Sequence, residues 1–511
     1  MDMKAFASCA AAGFLALTAC ARPENVAAGT TPTHMTTVTD NGAAPRPPFT
    51  FSKDDEALLD AVQRAAFLFL FEHASKDTGM VPDRSSKPEI SIAGVGFQLA
   101  AIPAAVERGW ITEDAGRERT ALILKSLESN PDNRKFGLFY HYLDPHDAGP
   151  AHTGYEHVVS TIDNALLFAG VIVAGEYFKA DPGIHAAANR LVEAANWKAF
   201  MSEGERYKPH ERGFITLGWK PRDKHKPTAE GELLPYVWMD AGDEQRLTTF
   251  LAVAAPNPEH RVEPGVYYRM RRTLGVDPAG STEPFFWFQW SGALFTSFFA
   301  HCFIDFANTL PDDPAAFGVE RRASIDWWVS ARRTVLMHRR KAIENPKNFA
   351  LIGENVWGMN ASDAPDGYRV PGLWPVALPY AGMKPDFDFV GDLPTPRDEW
   401  GEGTVAPYSA GCSIMFAPSE AVAALRHMKN LQNAAGEPLI WREPGTGPDH
   451  YGFLDAFSAH KGWVAPDYVA IDQGPLMLAI ENARTGLIWR LFRESKWVRE
   501  GEARLGWRRR N

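Results

Sequence analysis

The sequence predicts an all-α fold, a closed ring of paired helices. Three observations carry that prediction. Roughly ten to twelve segments place apolar residues at helical spacing, each followed by a loop rich in Gly, Pro and aromatic residues. Strands do not alternate with helices, and no glycine fingerprint for a nucleotide opens any helix. From residue 50 onward no linker-like stretch interrupts the 511-residue chain, so residues 50–505 read as a single domain with a short tail at 506–511. In such a ring each amphipathic helix buries a stripe on its neighbours, and the loops gather at one end as a cleft.

The front of the chain stands apart. Lys4 precedes an apolar run from Ala5 to Ala19, too short to span a bilayer and suited to a secretory leader over residues 1–19. The ending Leu17-Thr18-Ala19-Cys20 resembles a bacterial lipoprotein box, which makes Cys20 the expected site of lipidation. Ala21 follows it rather than Asp, so the expected destination is the periplasmic or outer face of the cell, anchored in the outer membrane. Residues 20–49 are rich in Thr, Pro, Ala and Gly and read as a disordered tether.

The first ring helix begins at Asp54, with acidic residues in its first turn. The loop TGMVPDRSS follows, carrying Asp83 and Arg84, for which a surface pair is the plain role. Helices are expected over Ser91–Arg108 and Thr112–Leu127, then an extended aromatic segment at 136–144. Ser160 caps a helix that holds Asp163 in its first turn, and a further helix covers 184–198. Residues 201–236 form a long loop of the kind that builds binding sites. A helix runs from Glu244 to about Val253. Phe285–Asn308 is apolar and aromatic and suits a buried helix, with His301 a core histidine. Val319–Ala342 reads as a long basic-faced outer helix, and 353–372 as a Gly/Asp loop walling the site. A helix from Ser419 and a final loop-and-helix pair complete the ring.

Composition narrows the function. A net charge of −10 argues against nucleic acid and weakly against an anionic substrate. Sixteen Trp, thirteen Tyr and thirty-one Phe exceed what packing requires and favour a carbohydrate ligand, because aromatic faces stack on sugar rings. The body holds only Cys302 and Cys412, equally suited to pairing or to lying free, and no His/Cys cluster suggests a metal.

Carboxylates then supply the chemistry. Asp240, Asp243 and Glu244 cluster where the mid-chain helix begins, a place where capping is the plain role for the two Asp residues. Asp455 lies far downstream in the aromatic segment YGFLDAFSAHKGW. Two carboxylates across a cleft are the minimum for glycosidic cleavage, with no metal or cofactor needed. Asp163 and Glu156 are reserve carboxylates, Glu354 and Asp363 lie in the wall loop, and Asp472 most simply caps a helix. Trp219, Trp238, Trp357, Tyr368 and Trp463 are the candidates for stacking on sugar, two of them expected to be core.

Six ordered blocks resemble the bacterial β-1,2-glucanase family, glycoside hydrolase family 144, also labelled "putative glucoamylase". They are STIDNALLFAG at 160–170, WMDAGDEQRL at 238–247, ENVWGMNASDAPDGY at 354–368, GTVAPYSAGCSIMFAP at 403–418, YGFLDAF at 451–457 and IDQGPLMLAIENARTGLIW at 471–489. The resemblance covers about residues 55 to 505. It implies an (α/α)6 barrel and inverting hydrolysis of linear β-1,2-glucan to short oligosaccharides such as sophorose. On that reading Glu244 is the general acid, with Asp240 and Asp243 raising its pKa, and Asp455 is the base, directly or through a short water chain. The chain departs from the family wording at Asp243, Gln245 and Arg246. Four alternatives stand beside this reading, among them a purely structural barrel, which would not need so many polar-aromatic loops. One is an exo-acting enzyme of the same family. Another is a lyase, disfavoured by the acidic cluster, and the last is a non-catalytic glycan-binding lipoprotein. A monomer is the expected state.

Overall fold

A computed structural model describes residues 37–40, 44–151, 157–203, 212–222, 230–288, 291–378 and 398–510, and the fold is largely helical. In chain order the helices are α1 (Lys53–Glu72), α2 (Ile92–Glu107), α3 (Glu113–Ser129), α4 (Thr161–Tyr177), α5 (Pro182–Ala194), α6 (Asp243–Ala254), α7 (Gly265–Arg269), α8 (Trp327–Glu344), α9 (Pro407–Cys412), α10 (Pro418–Lys429), α11 (Ala470–Arg484), α12 (Leu487–Glu494) and α13 (Lys496–Arg504). None of the described helices is long and apolar enough to cross a membrane.

The helices sort into two populations. α2, α4, α6, α9 and α11 are buried on nearly every face. α1, α3, α5, α10, α12 and α13 bury one face and leave polar residues outside. α2 packs on α4 and on α11, α4 on α6, and α11 on α9, while the 3-10 turn at 300–302 bridges α6 to α11 and the one at 294–297 bridges α6 to α8. The outer helices cover these, α1 on α11 and α2, α5 on α4, and α13 on α6. A helix without a polar face is stable only when surrounded by others, which accounts for the all-apolar runs of α2 and α4.

Small residues set how closely the inner helices approach. A Cβ on Gly170 would lie 1.9 Å from the Gly96 carbonyl oxygen, and one on Gly96 would lie 2.2 Å from that of Leu166. Both positions must therefore be glycine for α2 and α4 to meet backbone to backbone. Gln98, buried in α2, accepts a bond from the Val81 N–H (3.0 Å) and donates to the carbonyls of Leu70 (2.8 Å) and Gly79 (2.9 Å). That amide fastens the loop carrying Asp83 and Arg84 to the end of α1.

The structure corrects several expectations. Phe285–Asn308 is buried but is not an α-helix; it forms a short strand at 285–286 and 3-10 turns. Its backbone groups take partners from other elements instead of from the next turn. Asn360 accepts from the Phe295 N–H (2.9 Å), Asp243 from the His301 N–H (3.2 Å), and Asn482 donates to the Cys302 carbonyl (2.8 Å). The basic helix predicted from Val319 starts only at Trp327, where Asp326 caps the Val329 N–H (3.1 Å), and it buries Trp327, Trp328 and His338.

The long loop at 201–236 holds strands at 218–221 and 231–233, which pair antiparallel with 159–160 to make a three-stranded sheet. The tether ends earlier than its composition suggests. Val38 pairs with Ile325, Arg46 bonds Asp326 (3.0 Å) over the Trp328 ring, and the Phe49 N–H donates to Ala483 (2.7 Å). Cys302 and Cys412 are free and buried. Cys20 and Glu156 lie outside the described residues.

Candidate active site

Three inner helices carry acidic residues in their first turns. Asp163 is the third residue of α4, Glu244 the second of α6 and Asp472 the third of α11. Helix N-termini favour negative charge, whereas burial opposes it. The loops that precede α2, α4, α9 and α11 bring Asp83 and Arg84, His141, Asp363, and Asp455 to the same array.

Glu244 marks one side. It is 4% exposed, and its Oε1 has no hydrogen-bond partner among the described residues. Burial pushes its carboxyl well above the ordinary range, and the charges of Asp163 and then Asp243 add to the shift. That shift favours the protonated form, the form a general acid needs. Asp163 is placed by the start of α4. Ser160 caps that helix, and Asn164 binds the Phe139 N–H and carbonyl (2.7 Å each). The second contact draws the 138–143 segment inward and sets His141 Nε2 3.5 Å from Asp163. Thr161 accepts from Trp238 Nε1 (2.9 Å), so the Trp238 ring is held beside the same turn.

Asp455 marks the other side and is 1% exposed. Its Oδ2 accepts from the Asp363 N–H at 2.7 Å, and its own N–H donates to the Asp467 carbonyl (3.0 Å). Burial pushes its carboxyl up to about 6, while Asp472, the Asp363 N–H and Arg84 pull the other way. Asp472 rises well above the carboxylate range, through burial and then the charge of Asp455. Asp472 faces Asp455, and the two shifts favour a proton on Asp472 and a charge on Asp455.

Arg84 ties the Asp455 side together. Its Nη1 donates to both oxygens of Asp363 at 3.1 Å, and its Nε lies 3.4 Å from Asp83. Asp467 stands 3.6 Å away and accepts from Ser85 (2.9 Å) and Ser86 (2.8 Å). The Asp83 carbonyl accepts from the Ala470 N–H (2.8 Å), which docks the loop on the first residue of α11. Burial raises the Asp83 carboxyl, opposed by Arg84 and His141 and assisted by Asp163. Asp83 thereby links the two sides through one set of charges. Among the described residues, no group of three His, Cys, Asp or Glu is arranged to hold a metal ion.

Several predicted residues take other roles. Asp240 forms a bidentate pair with Arg271 and does not contribute to the Glu244 shift. Neither it nor Asp243 caps α6, whose N-cap is Gly242 without a side-chain bond. Asp243 is wholly buried and pairs with Arg246 and His301. Asp472 makes no N-cap bond for α11 and faces Asp455 instead. Glu354 points outward and pairs with Arg339 (2.9 Å), remote from the array.

The aromatic candidates divide. Trp219 (3% exposed) and Trp357 (0%) are core side chains and present no face to a ligand, whereas Trp238, Tyr368 and Trp463 are half-buried. Asp363 contributes through its backbone N–H to Asp455 and its carboxylate to Arg84. His141, Asp467 and Tyr408 were not singled out from the sequence. Their signals were weak, a histidine in an aromatic run, an Asp after Pro466, and a Tyr after Pro407 at the start of α9.

A family model described as "Putative glucoamylase" matches residues 235–496. The chain is 25% identical over 486 residues to an exo β-1,2-glucooligosaccharide sophorohydrolase (non-reducing end) of Parabacteroides distasonis. That match covers 88% of this chain and 58% of the relative, so the chain spans less than two thirds of the relative's length. A crystal structure of a "putative glucoamylase" from Bacteroides uniformis aligns with a TM-score of 0.69 at 24% identity, covering 90% of this chain and 99% of that one. An endo-β-1,2-glucanase from Chitinophaga pinensis, solved with sophorotriose and glucose, aligns at 0.68 with 21% identity over 90% and 99%.

Proposed function

The chain belongs to the bacterial "putative glucoamylase" family, glycoside hydrolase family 144, and from that premise we propose that it hydrolyses β-1,2-glucan from a chain end to release short β-1,2-linked oligosaccharides. The observation that carries the chemistry is the buried Glu244, whose carboxyl burial pushes upward, set against the facing Asp455–Asp472 pair. The likeness to the Parabacteroides distasonis exo-enzyme supports the exo mode and the β-1,2 linkage.

In this reading Glu244 protonates the leaving oxygen. Asp455 activates water from the opposite face, directly or through a water chain, and the anomeric configuration inverts. Asp472 keeps its proton and steadies the charge on Asp455. Arg84 holds Asp363 so that the Asp363 N–H stays on Asp455 Oδ2. Trp238, Tyr368 and Trp463 supply ring faces for the glucose units. The helices are read as an (α/α)6 toroid whose cleft opens at the N-terminal turns of the inner set. Leu17-Thr18-Ala19-Cys20 supports export and attachment to the outer membrane through a lipid on Cys20, and fractionation of a Cys20→Ser variant tests it, since release into the soluble periplasm is the expected result.

A second reading, internal cleavage, is favoured by the likeness to the Chitinophaga pinensis endo-enzyme. Product analysis over time on linear β-1,2-glucan separates the two. A single short product from the first minutes, with the long chains barely shortened, is the exo outcome. An early spread of lengths supports endo cleavage. Proton NMR of the first-formed anomer reads the stereochemistry, and a retained configuration would remove the inverting assignment.

A further inference from the structure

A buried charged cluster lies behind Glu244, and of its members only Asp243 has entered the description so far, through its charge. Asp243 begins α6, is 0% exposed, and faces His301 Nδ1 with both carboxylate oxygens at 3.1 Å. It also accepts from the His301 backbone N–H at 3.2 Å. Arg246, one turn on and 2% exposed, pairs with Asp243 and donates through Nε to the Ala241 carbonyl (3.1 Å). Its guanidinium lies 3.7 Å from the Trp327 ring centroid and 4.8 Å from that of Phe306. Trp489 Nε1 holds the His301 carbonyl. Because a carboxylate only accepts, Nδ1 of His301 carries the hydrogen; Nε2 is buried without a partner among the described residues.

Such a cluster is costly to bury and adds little stability over an apolar core, so its presence calls for another role. We propose that Asp243, His301 and Arg246 form the positioning element of Glu244. They replace the missing N-cap of α6 by tying its first turn to the 300–302 turn and to the 241–242 approach, and they place a fixed negative charge one residue before the acid. The inference rests on Glu244 being the acid. The other groups that face this turn are Asp163 from α4, Cys302 from the 300–302 turn and Tyr267 from α7. The Arg272–Asp312 pair packs on the far side of Trp327. Of these, Asp243 is the anion nearest to Glu244 in sequence, and it is held ionised because His301 and Arg246 outweigh its burial.

The test uses Asp243→Asn, His301→Ala and His301→Asn in the full mature chain. The Glu244 carboxyl band is followed by infrared spectroscopy as the difference between each protein and its Glu244→Gln partner. This readout needs no substrate, so an unmoved Glu244 band overturns this inference even where the β-1,2-glucan reading fails. Asp243→Asn is expected to move the Glu244 titration to lower pH by about one unit, and the alkaline limb of kcat with it. His301→Ala is expected to lower kcat about tenfold or more with KM unchanged. His301→Asn, which can still donate to Asp243, is expected to recover most of that loss. An unmoved Glu244 band in Asp243→Asn, or a lower melting temperature with kcat intact in His301→Ala, overturns the proposal. Should Asp243→Asn not fold, the two His301 variants decide: recovery by Asn but not Ala supports it, and equal loss in both overturns it.

Discussion

Glu244 and Asp472 occupy nearly equivalent places, the opening turns of two inner helices, and yet their surroundings do opposite things. The Glu244 carboxyl has a bare Oε1 and only like charges nearby, Asp163 and Asp243. Asp472 faces Asp455, which is held by an N–H from Asp363 and lies within the reach of Arg84. Both helix termini offer the same partial positive charge, and in both cases burial overrides it. The contrast teaches that the neighbours, not the helix position, decide whether a carboxyl acts as a proton donor or supports a carboxylate beside it.

The largest break in that comparison is Glu244→Gln. It keeps the shape and removes the transferable proton, and kcat on β-1,2-glucan is expected to fall about 10³- to 10⁴-fold. A leaving group that needs no protonation should recover much of this loss, and a variant with near-parental kcat would remove Glu244 from the acid role. Asp455→Asn follows at about 10²- to 10³-fold, since the amide oxygen still accepts from the Asp363 N–H but the base is gone. Added azide or formate as an external nucleophile reports on that side of the site only.

Arg84→Met sharpens the comparison by acting on one side. Asp455 must be ionised to act as base, so activity is lost as pH falls through its pKa of about 6. Arg84 lowers that value, so its removal should raise it and move the acidic limb of kcat upward by about one unit, with the alkaline limb unchanged. Movement of both limbs would show that the two sides are not separately tuned. The smallest effect belongs to Glu354→Ala. That carboxylate is exposed in a surface pair with Arg339, so kcat should not change and stability should shift by less than about 1 kcal/mol in thermal unfolding.

Much of the helical framework was legible before any coordinates. The expected helices at 91–108, 112–127, 161–178 and 244–253 lie within a few residues of α2, α3, α4 and α6, because α3, α4 and α6 open on a capping side chain or an acidic first turn, while α2 is a long apolar run with no competing turn signal. Phe285–Asn308 defeated the same reasoning. Its residues are mostly apolar on every side, so period carries little information, and tertiary donors and acceptors on Asn360, Asp243 and Asn482 take the backbone groups that a helix would have satisfied internally. Trp219 and Trp357 misled for a related reason. An aromatic residue in a polar loop looks like a ligand platform, and composition cannot tell which ring the loop folds inward.

By itself the sequence determined where most of the helices begin, the acids that open several of them, and the blocks that mark the family. Those features are local: apolar period, capping chemistry and the order of motifs are written within a few residues of one another. The tertiary structure decided which acids meet. Glu244 and Asp163 are separated by α5 and the 218–233 strands, and Asp363 reaches Asp455 only because Arg84, from the other end of the chain, holds it there. The proton affinity of each carboxyl depends on burial and on charges brought from distant segments, quantities that exist only once the inner helices have packed.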